Sequence, residues 1–121
     1  METLKIAKTD DTPGITLDKA LGTFEISGRS LPEDAVDFFE PAFVWLRAYA
    51  KAPNPATAFV FKLEYLNTAS SKIVQDLLSL LEQIKGVKIV WYYAEDDEDM
   101  EDAGHEFSEL VEIPFEYKTE Y

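Results

Sequence analysis

The sequence predicts an α/β fold: one domain built on a mixed β-sheet, with an N-terminal hairpin and about three helices mainly on one face. Three observations lead there. Short apolar runs alternate with period two, longer segments repeat apolar residues every three or four positions, and the two kinds interleave in the order β-β-α-β-α-β-α-β. Two successive β-α-β crossovers imply parallel neighbouring strands joined right-handedly, and the hairpin adds an antiparallel pair. With 121 residues, 46% of them hydrophobic and 13% aromatic, the chain can bury one core, so residues 1–121 are expected to form a single domain.

The elements follow in order. GITL (14–17) and TFEIS (23–27) place Ile15, Leu17, Phe24 and Ile26 in period-two positions, and Gly22 marks the turn between them. Ser30 and Glu33 then have capping-box spacing, with Pro32 in the expected first turn. The helix they open carries a stripe of Val36, Phe39, Phe43, Leu46 and Ala50, and ends before Pro53 and Pro55. Pro41 lies inside it, where a lost hydrogen bond and ring clash cost about 3 kcal/mol, so a kink or break is expected near Phe38. A second apolar row, Phe38, Ala42, Trp45 and Tyr49, fits either a helix buried on a wide face or an exposed docking stripe; the wide buried face is favoured.

TAFVFKLEYL (57–66) alternates, with Phe59, Phe61, Leu63 and Tyr65 inward and Lys62 and Glu64 outward. Such a strand belongs to a sheet with one face partly in water. SKIVQDLLSLLEQIKG follows as an amphipathic helix with Ile73, Leu77, Leu81 and Ile84 on its buried stripe and Gly86 as the stop. VKIVWYY alternates again, with Val87, Ile89, Trp91 and Tyr93 inward. The acidic run EDDEDMED (95–102) reads as the solvated start of a third helix through about Leu110, because acids near a helix N-terminus interact favourably with its dipole. IPFEYK (113–118) closes the chain as a short strand, with Pro114 making it an edge strand or pointing outward.

Composition excludes several function classes. The formal net charge is −13, from 24 acidic and 11 basic residues, and the bases are scattered, which argues against nucleic acid and anionic membranes as partners. Protein is the expected partner. The absence of cysteine removes disulfides, thiolate nucleophiles and thiolate metal sites. METLKIAKTDD has no apolar core after its charges, and no apolar run approaches the roughly 20 residues of a membrane span, so the cytoplasm is the expected compartment. A serine hydrolase would have to bring His105 to Ser70 or Ser71 without a nucleophile elbow. Neither a P-loop nor a dinucleotide glycine pattern is present. His105, Glu106 and Glu109 form a conceivable metal set, but a lone histidine among surface acids is far more often solvated. No catalytic residue, cofactor or metal is expected.

The segment LNTASSK (66–72) joins a strand to a helix with a cluster of hydroxyls. Capping explains one such residue, Asn67 or Thr68, leaving Ser70 and Ser71 as ordinary first-turn residues. Phosphorylation explains the cluster equally well, since a phosphate at a helix N-terminus is favoured by the dipole and by free amides. The residues alone leave both readings open.

A strand ending in a short polar segment, followed by a hydroxyl at the start of an amphipathic helix, resembles the STAS domains of anti-sigma-factor antagonists. In those a Ser of an Asp-Ser-Ser-type motif is phosphorylated, and Asn67-Thr68 matches the Asp-Ser position. The chain is more similar to the SiaC family of regulatory phosphoproteins, through TPGI, ISGRSLPEDAVDFFEP, LEYLNTASSKIVQDLLSLLE and IPFEY. This resemblance spans nearly the whole chain, and its middle segment is the most specific part. It implies a STAS-like partner switch in which Thr68 is the phosphoacceptor for a dedicated protein kinase and a substrate of a PP2C-type phosphatase. The unphosphorylated form would bind and activate a diguanylate cyclase, raising cyclic di-GMP. Leu66, Asn67, Ala69, Ser70, Ser71 and Lys72 would form the surrounding partner-binding set. Asn67 replaces the Asp of STAS motifs and no glycine follows the hydroxyls, which is why a dedicated kinase is expected. The alternative is a constitutive interaction module, or a homodimer, in which the hydroxyls serve only as a cap.

Overall fold

A computed structural model describes residues 1–120; Tyr121, the last residue of the expected domain, lies outside the described residues. Nine elements follow in order: β1 (Leu4–Ile6), β2 (Gly14–Asp18), β3 (Thr23–Ser30), α1 (Ala35–Lys51), β4 (Thr57–Leu66), α2 (Thr68–Leu81), β5 (Val87–Ala94), α3 (Glu98–Glu109) and β6 (Phe115–Glu120). The strands form one six-stranded sheet in sequential order. β1, β2 and β3 pair antiparallel, and β3 to β6 pair parallel. A helix joins each of the three parallel pairs, and all three helices pack into one core on the same face of the sheet, as crossovers of a single hand advancing in one direction require. The expected mixed sheet and one-sided helical layer are therefore present, with one strand more than expected. β1 escaped the sequence reading because three residues are too few to show a period.

The core lies between sheet and helices. Ile15, Leu17, Phe24, Ile26, Phe59, Phe61, Ile89 and Trp91 are buried on the sheet, and Phe39, Leu46, Tyr49, Leu77, Leu78 and Leu81 meet them from the helices. Polar groups inside are paired: Tyr49 OH lies 2.7 Å from Thr57 Oγ1, and Trp91 Nε1 donates to the Met100 carbonyl at 3.0 Å. Among the described residues no buried side-chain nitrogen or oxygen lacks a partner, as a low-dielectric interior requires. No helix among them is long and apolar enough to cross a membrane.

Five sequence expectations shift. First, α1 starts at Ala35 rather than just after Ser30; Asp34 is the N-cap and accepts from the Asp37 amide at 3.0 Å. Ser30 is instead the last residue of β3, its hydroxyl committed elsewhere in the core. Second, α1 runs without a break through Pro41, which lies on the exposed side of the helix. Third, its buried residues are Ala35, Phe39, Ala42, Leu46 and Tyr49, while Val36 is 66% exposed. The Phe38, Ala42, Trp45 and Tyr49 row therefore belongs to the core side: Phe24 packs against both Trp45 and Tyr49, and Trp45 Nε1 donates to the Glu2 carbonyl at 2.7 Å. The N-terminal segment that covers Trp45 was the part the period could not reveal.

Fourth, Tyr65 is not inward but 44% exposed. The β3–β4 ladder pairs Gly28 with Leu63 and Arg29 with Tyr65, so Glu64 is an extra residue in β4. A bulge of this kind reverses the alternation beyond it. Fifth, α2 ends at Leu81, and Gly86 is not its stop. Gly86 has a φ of 81° and abuts Pro55, whose carbonyl oxygen would lie 2.5 Å from an added Cβ; it serves the turn into β5.

Gly104 lets α3 approach the sheet closely, because an added Cβ would lie 2.6 Å from the Trp91 indole. Gly104→Ala is expected to lower stability by about 1–3 kcal/mol through overpacking, despite Ala being the better helix former. Urea unfolding followed by tryptophan fluorescence measures this, and an unchanged or raised midpoint would contradict the packing assigned to Trp91.

Candidate functional site

The hydroxyl segment lies where β4 passes into α2 at the C-terminal end of the parallel strands. Three residues divide the local work. Asn67 is the N-cap, extended at φ −76° and ψ 173°, and its side-chain oxygen accepts from the Ser70 amide at 2.8 Å. Its own amide donates to the Ser30 carbonyl at 3.0 Å, and its carbonyl accepts from Ser71 at 2.9 Å. This satisfies first-turn amides that helix geometry leaves unpaired.

Ser70 faces inward and is fully buried. Its Oγ lies 2.7 Å from Ser30 Oγ and 3.2 Å from the Ser30 carbonyl. Ser70, expected in the partner-binding set, thus has its hydroxyl committed to Ser30 rather than presented at the surface. This also removes Ser70 as a nucleophile for His105, which is exposed on α3 and stacked on Tyr117 at 4.1 Å between ring centres. Periodicity alone could have signalled the burial of Ser70, because it precedes Ile73, Val74 and Leu77 by three, four and seven positions.

Thr68 is the first residue of α2 and is exposed. Its hydroxyl makes no hydrogen bond with any described residue. Ala69 and Lys72 are exposed with it, while Leu66 and Ser71 are half-buried. Thr68, Ser71, Lys72 and Gln75 form one wall of a groove of about 460 Å³, and Ala103, Glu106 and Phe107 of α3 with its C-cap Leu110 form the other. A second hollow of about 360 Å³ continues it from Leu66 and Ser71 toward Asp97, Asp99 and Met100. The groove has an apolar floor and an acidic far rim, and Lys72 is the one cation among the residues lining the two hollows.

The acids on that rim are ordered by α3 itself. Asp97 is the N-cap and accepts from the Met100 amide at 3.0 Å, while Glu98, Asp99 and Glu101 occupy the first turn, where the helix dipole stabilises them. Tyr93 donates to Glu101 at 3.2 Å. Partial removal from water, and then that carboxylate, hold the Tyr93 phenol above its ordinary pKa.

A search against protein families matches residues 6–120 to the SiaC family of regulatory phosphoproteins. A protein of Pseudomonas aeruginosa strain UCBPP-PA14 is 30% identical over 119 residues, covering 95% of this chain and 94% of that one. The crystal structure of apo-SiaC from Pseudomonas aeruginosa is similar, with a TM-score of 0.88 and 30% identity, covering 98% of this chain and 99% of that one. A chain in the crystal structure of the diguanylate cyclase SiaD in complex with its activator SiaC, also from Pseudomonas aeruginosa, has a TM-score of 0.90 and 29% identity over 97% of this chain and 99% of its own. With the family pattern running through the sheet, the three helices and the Asn67–Ser71 junction alike, the chain belongs to the SiaC family of regulatory phosphoproteins.

Proposed function

We propose that this chain is a phosphorylatable partner switch of the cytoplasm rather than an enzyme. Its unphosphorylated form binds and activates a diguanylate cyclase; a dedicated kinase phosphorylates Thr68 and ends that binding, and a PP2C-type phosphatase restores it. The observation that carries the reading is the division of labour at the junction. Asn67 already caps α2 and Ser70 already anchors it, so the exposed Thr68 hydroxyl, which holds no hydrogen bond among the described residues, is left available for modification. The SiaC chain that resembles this one in complex with a cyclase supports the choice of partner.

The physical consequence of modification is local. A phosphate adds a charge of about −1.5 to −2 at neutral pH, and at the first turn of a helix it is compatible with the fold. Its effect falls on the groove instead. A partner side chain seated on the Phe107 and Leu110 floor must exclude water beside Thr68, and stripping water from a dianion is costly unless a cation replaces it. Lys72, one turn along α2, is the nearest cation in the sequence, and pairing with it would hold the phosphate across the groove mouth. Ser71 is half-buried and Ser70 fully so, which makes Thr68 the most exposed hydroxyl of the junction.

Three outcomes are expected. Mass spectrometry of the chain from its native cells should find a single phosphate, on Thr68, at partial occupancy; phosphate only on other residues would reject Thr68 as the acceptor. In binding titrations with a diguanylate cyclase, Thr68→Asp should weaken the complex at least tenfold while Thr68→Ala binds like the parent, and equal affinity for both variants would reject the mechanism. Urea unfolding should show a loss of about 1 kcal/mol for Asn67→Ala and no more than about 0.5 kcal/mol for Thr68→Ala. A Thr68→Ala loss as large as that of Asn67→Ala would make the threonine a cap and favour the constitutive binding module.

A further inference from the structure

The face of the sheet without helices differs in charge from the rest of the chain. Residues directly opposite in a ladder share a face, so the pairings Lys5–Thr16–Glu25, Ser27–Lys62, Arg29–Tyr65 and Tyr92–Lys118 all project to this side, as does Lys88. Five of the 11 basic residues, Lys5, Arg29, Lys62, Lys88 and Lys118, thus lie on one surface of a chain whose net charge is −13. Most of the acids lie in the helices and loops.

These cations are also held in place. Arg29 stacks over Tyr65 at 5.5 Å, and the ammonium groups of Lys62 and Lys118 approach the Tyr92 ring from either side strand at 4.8 and 5.9 Å. Lys62 pairs with Glu25 at 3.4 Å and Lys88 with Glu116 at 3.1 Å, whereas Arg29 and Lys118 form no ion pair with any described residue. The bulge at Glu64 is what turns Tyr65 to this side and gives Arg29 its platform. A hollow of about 290 Å³ opens at the same end, lined by the cations Arg29 and Lys62, by Leu63 and Tyr92, and by the acids Glu64 and Asp97. Tyrosine with arginine in a rigid arrangement is the composition of a protein-binding hot spot, since little side-chain freedom remains to be lost on docking.

We propose that this face is a second protein-docking surface, separate from the α2–α3 groove, and that it receives an extended, carboxylate-rich segment of a partner protein. Arg29 on β3 and Lys118 on β6 stand three strand spacings apart across the sheet and about two residues apart along it, about 16 Å in all, which is the span of about five residues of extended chain. Carboxylates at that separation reach both Arg29 and Lys118 while the intervening segment lies over Tyr92. Opposition from the overall negative charge is limited, because at physiological salt it is screened beyond about 8 Å. A long polyanion such as nucleic acid would extend past the cations onto acidic surface.

The test uses the whole chain with a fluorescein-labelled decaglutamate peptide, followed by anisotropy and by amide NMR. Saturable binding with shifts at Arg29, Tyr65, Tyr92 and Lys118 is expected. The Arg29→Glu, Lys118→Glu double variant, both positions being on the surface, should keep the native amide spectrum and bind roughly tenfold or more weakly. Thr68→Asp should bind the peptide like the parent, which separates this surface from the switch site. The inference is overturned by no binding at millimolar peptide, by shifts centred on Lys72 and the start of α2, or by indifference to the double charge reversal. It is equally overturned if a 20-base DNA or phosphatidylserine vesicles bind the same face more tightly than the peptide.

Discussion

Two serine hydroxyls, Ser30 at the end of β3 and Ser70 in the first turn of α2, meet at 2.7 Å in a part of the protein closed to water. Each would be costly to bury alone, so the pair fixes how far α2 can rotate and where it can start. The adjoining Asn67 amide bond to the Ser30 carbonyl fixes the same point along the backbone. With Ser70 held inward, a helical step of about 100° per residue puts Thr68 outside. The exposed hydroxyl is thus a geometric result of a buried one, and the two cannot exchange places without turning α2 and withdrawing Ile73, Val74 and Leu77 from the core.

The same anchoring explains how a surface can change its chemistry while the fold stays still. α2 is seated by a wide apolar face, and its N-terminus is capped by a residue other than the one proposed for modification. Across the groove, α3 is tied to the sheet by the Trp91 bond to Met100 and by the tilted packing of Phe107 against Trp91 at 5.6 Å between ring centres. Both walls of the groove are therefore rigid. A change at its mouth is felt as altered hydration and charge at a fixed shape, which suits recognition by partners that must distinguish two forms of one protein.

Much of this was legible in the sequence where residues repeat with a period. The strands β2 to β6 and the helices α2 and α3 follow from alternation, stripes and the acidic helix start, and the junction at Thr68 follows from where one period gives way to the other. What was hidden depends on tertiary partners. The Ser30–Glu33 spacing resembles a cap, yet Ser30 is claimed by Ser70, forty residues away. Tyr65 reads as inward until the ladder with β3 reveals an extra residue. Val36 fits the stripe of α1 but lies beside it at 66% exposure, because the angle at which a helix sits on its sheet is set by the whole core. The charge contrast between the sheet's open face and the remainder also became visible only once strand pairing was known.

The surplus residue in β4 has a bearing on how the length of this strand can change. Without Glu64, the pairings of Leu63 with Gly28, Tyr65 with Arg29 and Leu66 with Ser30 would form an unbroken ladder, and every side chain would keep its present face. Loss of one residue elsewhere in β4, at Val60 or Phe61 for example, would exchange the two faces of the segment between that point and the bulge. The bulge is thus the place where a one-residue insertion or deletion is absorbed. Variation in length between the start of β4 and the start of α2 can pass there without altering which way the Asn67–Ser71 segment points.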